Sequence, residues 1–227
     1  LENVRQHHAS VWQVTGEAGE QNRTVPVLLS KRSVMVPDLQ LSENKGRALQ
    51  GSPVCVSNKQ GHCVVLWNDN RNGVNKAYAQ IYSNGTAKGS NIRIGPAVGD
   101  AAVDEEGNLV LVWITSRQDH NYIYGQKFDS SCTALTEKKV LYEGLMIWDV
   151  KVGLNPDGIL TAAWTGQSSF SEPMHIFAQQ YTEELLPAGN LFKVDDSEGD
   201  VAGLYDNFDI AVSGKTGFLV VWLDKRS

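Results

Sequence analysis

Asp100, Asp149 and Asp209 are the residues of this 227-residue chain whose type and spacing could do chemistry. They stand 13, 15 and 13 residues before Trp113, Trp164 and Trp222, and Pro53 takes the corresponding place before Trp67. Carboxylates that recur at one position of a repeated unit crowd together wherever those units converge. Crowded carboxylates bind a hard cation such as calcium or share a proton. A pair of them is also what glycoside hydrolysis requires. The plainer alternative is that Asp merely starts a strand after a turn.

A second set lies just past the tryptophans. Asp69 and Arg71 follow Trp67, Asp224 and Arg226 follow Trp222, and Arg117 stands without its Asp after Trp113. After Trp164 both are gone, replaced by Gly166 and Ser168. Asp accepts from backbone amides in a turn and Arg forks onto a carboxylate, so these read as loop fasteners ahead of ligand contacts. Trp148 falls outside the tryptophan series and, with Tyr142 and Phe170, is a loop aromatic available to a glycan. The stretch Asn68-x-Asn70-x-Asn72-Gly73 imitates a calcium loop, but amides replace its carboxylates and Ala79 stands where a closing Glu belongs. Nucleophile elbow, zinc-protease, phosphate-loop and Cys-x-x-Cys motifs are all missing, and the five histidines share no metal-ligand spacing.

The elements that must position these residues are repeats. A glycine turn opens an apolar run that closes on Trp, and an aromatic–small–Gln–x–aromatic segment follows. The copies are Gly61 to Trp67 with Tyr78-Ala79-Gln80-Ile81-Tyr82, and Gly107 to Trp113 with Tyr124-Gly125-Gln126-Lys127-Phe128. A third runs from Gly158 to Trp164 with Phe177-Ala178-Gln179-Gln180-Tyr181, and Gly217 to Trp222 begins a fourth. Successive tryptophans from Trp12 onward are 55, 46, 51 and 58 residues apart. Each unit reads as four short strands, A to D, separated by turn residues, with no segment of helical period. Strand B is apolar throughout and is expected to be covered on both faces.

In the second unit the strands are expected at 52–57, 62–67, 77–82 and 91–94. In the third they are expected at 100–103, 108–113, 122–128 and 138–142, and in the fourth at 149–152, 159–164, 175–181 and 191–194. The first unit offers 9–12, 24–29 and 38–41, and the last only 209–212 and 218–222.

Repeated four-stranded sheets of about 50 residues are the signature of β-propeller blades. The expected fold is all-β, a propeller of four to five blades or part of a larger one. Its expected division is a partial blade at 1–44, blades at 45–97, 98–144 and 145–197, and a partial blade at 198–227. In such a ring strand A lines the axis, which would bring Asp100, Asp149 and Asp209 to one mouth of the channel. Trp and Gln recur in every unit and are read as scaffold. Cys55 and Cys63 flank one hairpin, either bridged or as two half-buried thiols.

The formal net charge of −6, with Lys and Arg scattered singly, argues against a nucleic-acid or anionic-membrane partner. No apolar run approaches the ~18 residues of a membrane span, and no basic-then-apolar leader opens the chain as given.

Trp67-x-Asp69-x-Arg71 followed by Tyr78-Ala79-Gln80, and Trp222-x-Asp224-x-Arg226, resemble the propeller repeat common in secreted and surface-attached bacterial proteins. That resemblance implies an extracellular or cell-surface location and a non-catalytic binding or adhesion module. Its partner would be a glycan or a surface protein, with further blades of the same or another chain as a third kind. It implies no cofactor beyond the calcium of the carboxylate reading. The alternative is a glycoside hydrolase or lyase using the channel-mouth aspartates, although the missing catalytic motifs favour binding.

Overall fold

The computed structural model describes residues 40–43, 46, 48–167, 169, 171–196, 208–214 and 217–223. The chain divides into two units, Leu1–Gln40 and Leu41–Ser227. Of the first, Gln40 alone is described, so Trp12 and the strands expected at 9–12 and 24–29 lie outside the described residues. The short strand expected at 38–41 is irregular at residues 40 and 41.

The second unit is all-β among the described residues. Its first sheet is β1 (Gln50–Ser57), β2 (His62–Asp69), β3 (Lys76–Ser83) and β4 (Thr86–Gly95). The second is β5 (Asp100–Val103), β6 (Leu109–Arg117), β7 (His120–Phe128) and β8 (Lys139–Gly144). The third is β9 (Met146–Leu154), β10 (Leu160–Gln167), β11 (His175–Tyr181) and β12 (Pro187–Lys193). β13 (Phe208–Ser213) and β14 (Gly217–Trp222) form the last. Each sheet is an antiparallel meander in chain order. Sheets stacked in sequence through their faces, each led by its first strand, are the blades of a partial β-propeller.

The apolar runs explain the stacking. In β6, Leu109, Leu111 and Trp113 point into the core shared with Val64, Leu66, Ala77 and Ala79 of the first sheet. The alternate residues Val110 and Val112 enter the next core, with Val150, Val152, Leu160 and Trp164. β10 repeats the device, Trp164 facing back and Ala163 facing forward to Phe208 and Val220. A strand covered on both faces needs no polar alternation, which is why these runs are continuous. Each Trp lies opposite the aromatic of the third strand: Trp67 by Tyr78, Trp113 by Tyr124, Trp164 by Phe177. Trp113 and Tyr124 stack with centroids 5.7 Å apart.

The recurring Gln has a definite task. The register slips between Ala79 and Ile81 and between Ala178 and Gln180, leaving carbonyls of the outer strand without ladder partners. Gln80 Nε2 donates to the carbonyls of Lys88 (3.2 Å) and Gly89 (3.3 Å). Gln179 does the same for Ala188 (3.4 Å) and Gly189 (3.1 Å). These bulged hairpins extend the fourth strands. β4 begins at Thr86 and β12 at Pro187, earlier than the expected 91 and 191. The extra residues are mostly exposed, so no apolar alternation marks them. Glycine is required where a turn feeds strand B: Gly107 has φ 88° and Gly158 φ 77°.

Candidate functional site

The first strands β1, β5, β9 and β13 adjoin one another, and their register decides which side chains share a level. Trp164 pairs with Val150 and Trp222 with Phe208, residues 14 positions earlier in each case. An interval of 13 therefore sets Asp100 opposite Val112 and Asp209 opposite Val221. An interval of 15 sets Asp149 opposite Thr165, two residues further along its strand. Two strand residues are roughly 7 Å. The residue at the level of Asp100 and Asp209 in the third sheet is Lys151, opposite Ala163, and in the first sheet it is Val54, opposite Leu66. One level thus carries Val54, Asp100, Lys151 and Asp209, and Asp149 stands one step beyond it.

A cavity of about 360 Å³ opens between these strands. Its walls are residues 52–54 of β1, the connecting segment 97–99, Ile114 of β6 and residues 148–151 of β9. Trp148, expected on a loop, lies in β9 beside a register slip between Thr165 and Gly166 and contributes to this wall. Across the cavity the first strand is bulged, and Ser52 adopts φ 49°.

Asp149 and Lys151 share a strand face and form an ion pair, Nζ to Oδ2 3.6 Å, both side chains largely buried. Asp100 reaches to the next sheet, where its Oδ2 accepts from the Val152 N–H at 2.8 Å. Burial pushes the Asp100 carboxyl up from 3.8 to about 6, and Asp149 adds to the rise. The amides of Val152 and Ala101 and the charge of Lys151 oppose it. Asp149 and Lys151 therefore stand on the cavity wall, while Asp100, next to the lining residue Gly99, lies beside that wall and holds its proton to near pH 6. Two carboxyls in unlike environments are the arrangement from which acid and base roles separate.

Asp209 is exposed, and its Oδ1 accepts from the Ile210 amide at 2.8 Å. Asp149 folds over the Val150 amide in the same way. The shared posture is that of a side chain satisfying an N–H on the free edge of a first strand.

The residues after the tryptophans fasten loops. Asp69 is fully buried and accepts from Trp67 Nε1 (3.2 Å), Gln50 Nε2 (3.1 Å), the Arg71 amide (2.7 Å) and Arg71 Nη2 (2.7 Å). The Arg71 side chain above all holds its carboxyl below the usual range. Arg71 itself lies 4.0 Å over the Tyr78 ring. Arg117, without an Asp, is exposed with its guanidinium 5.7 Å from the Tyr124 ring centre. Asp224, Arg226 and Phe170 lie outside the described residues. Tyr142 packs 4.4 Å from Trp164. The Asn68–Asn72 stretch is occupied structurally, with Asn70 Oδ1 accepting from the Leu49 amide at 2.7 Å. Among the described residues no group of three or more His, Cys, Asp or Glu is placed to hold a metal ion.

Lys151 is the site residue that motif reading passes over. Its signal was present: counting 13 back from Trp164 lands on Lys151, whereas attention to recurring Asp lands on Asp149.

No family model matches the sequence, and no curated protein matches it. Among solved structures the chain is similar to the α-L-arabinanase of Penicillium chrysogenum complexed with arabinobiose (TM-score 0.50, 13% identity), over 67% of this chain and 50% of that one. It is also similar to an endo-arabinase from Bacteroides thetaiotaomicron (TM-score 0.43, 16% identity; 63% and 62% covered). A third likeness is the β-propeller domain of the Trilobed protease from Pyrococcus furiosus (TM-score 0.40, 11% identity; 66% and 44% covered). The chain spans about half the length of the first of these structures.

Proposed function

We propose that this chain is a glycan-processing portion of a β-propeller glycoside hydrolase, with the axial cavity as its site. Asp149, on the cavity wall and charge-paired with Lys151, is one carboxylate, and Asp100, beside that wall and bonded to the Val152 amide, is the proton donor. The observation that carries this reading is the pair of unlike environments: a carboxyl raised to about 6 by burial, close to one held against a lysine. A general acid must keep its proton at working pH, and its partner must stay charged. The similarity to an arabinanase in fold supports a glycan as substrate, by analogy between folds.

A non-catalytic glycan-binding module is the second reading. It is favoured by Lys151, a cation at the level where Asp100 and Asp209 stand. The repeat resemblance supports a further proposal, an extracellular or cell-surface protein with a glycan or surface-protein partner, which cell fractionation tests.

The deciding experiment incubates the chain with a polysaccharide panel that includes arabinan, and measures reducing ends. Hydrolysis that Asp149→Asn and Asp100→Asn each abolish, with the fold intact by circular dichroism, is the expected result. Full turnover in both variants would sink the assignment. Binding of a polysaccharide without turnover would select the second reading.

A further inference from the structure

A second cavity of about 360 Å³ lies away from the axis, between the outer strands of the first two sheets. Its wall brings together Lys76 at the start of β3, Arg93 on β4 and Lys138 just before β8. Pro96, Gln126 and an edge of Trp113 complete it, and no Asp or Glu among the described residues lines it.

Three cations in one cleft run against the sign of a chain with net charge −6. Among the described residues none of the three is in an ion pair, although the structure pairs Arg71, Lys127 and Lys151 with carboxylates elsewhere. Lys138 Nζ instead sits 5.1 Å over the Tyr124 ring, and Arg117 lies 5.7 Å over the same ring. Like charges gathered without a counter-ion repel one another. A cleft with low-dielectric walls concentrates their field on whatever enters it. Gln126 Nε2 is committed to the Thr136 carbonyl at 2.7 Å, so the cations dominate the polar chemistry of the cleft.

We infer that this interblade cleft is an oxyanion site formed by Lys76, Arg93 and Lys138, taking the carboxylate or sulfate of an acidic sugar. The guanidinium of Arg93 offers the planar fork that such groups accept, and the lysines supply point charges beside it. The anion site stands on this geometry alone; its assignment to a sugar rests on the glycan reading of the axial cavity.

The test is an NMR titration of the full chain at fixed ionic strength, following the Gly95 backbone amide and the Gln126 side-chain amide. The probes are inorganic sulfate, glucuronate and acetate, with glucose as the uncharged control. Sulfate and glucuronate should give saturable shifts that Arg93→Glu/Lys138→Glu weakens by about tenfold or more, while glucose gives none. Lys59→Glu/Lys88→Glu, the same charge change placed elsewhere, should leave both affinities within about twofold. Because Arg93 and Lys138 are exposed, the reversal should leave the fold intact. Arg93→Met/Lys138→Met repeats the measurement without introducing acids, and should also weaken binding. No saturable shift, or equal weakening in the control pair, would overturn the site. Glucuronate should bind at least about threefold tighter than acetate if the sugar ring is recognised. Equal affinities would overturn the sugar assignment. None of these outcomes depends on hydrolysis at the axial cavity.

Discussion

Replacing Asp100 by Asn should make this protein relatively more stable as pH rises, a consequence of where its carboxyl is placed. Burial raises the carboxyl from 3.8 to about 6, so between those values the folded chain holds a proton that the unfolded chain releases. Stability from this group is fully present below about pH 4 and is lost as pH climbs through about 6. That gap corresponds to ~3 kcal/mol at ~1.4 kcal/mol per pH unit. The carboxyl is only partly enclosed, and screening by water brings the expected change to about 1–2 kcal/mol. Asn removes the ionisation and keeps an oxygen that can accept from the Val152 amide, the bond that ties β5 to β9. Urea unfolding of both proteins at pH 4 and pH 7.5 measures the difference. The variant should gain on the wild type by about 1–2 kcal/mol between the two conditions. A difference that stays constant with pH, or changes in the opposite direction, would refute the buried, proton-holding carboxyl.

Three further outcomes follow from the contacts. A Cβ at Gly153 would run into Val212 Cγ2, so Gly153→Ala should destabilise the chain by about 1–3 kcal/mol, and adding Val212→Ala should recover most of it in thermal melts. Asp69→Asn removes the charge on which Trp67, Gln50 and Arg71 converge; denaturant unfolding at pH 7 should show a loss of about 2–4 kcal/mol, shrinking as pH falls through the carboxylate range. The thiols of Cys55 and Cys63 lie 3.6 Å apart, whereas Cys132 is buried, so oxidised glutathione should remove two of the three titratable thiols and leave Cys132 reduced.

The blade cores were legible because two-sided burial leaves an unbroken apolar run, and Leu109 to Trp113 or Leu160 to Trp164 can be read as little else. The loop fasteners were legible too, since Asp69 and Arg71 are two residues apart and act on their own turn. The early starts of β4 and β12 were not. Their first residues are exposed, and a Gln on the neighbouring strand holds them in place. The level of the aspartates was half-visible: the intervals 13 and 15 differ on paper, but only the Trp164–Val150 pairing turns that into a shift along the strand. The basic cleft was hidden altogether. Arg93 and Lys138 stand far apart in the chain, and scattered cations became a cluster only when two sheets stacked.

Proton donation by Asp100 beside the axial cavity is read out by the pH dependence of kcat/KM for the polysaccharide that the panel identifies. Activity should fall as pH rises through about 6, the limb set by Asp100, and Asp100→Asn should be inactive across the whole range. Activity that stays flat or increases through pH 6, or an Asp100→Asn variant with the wild-type profile, would contradict it.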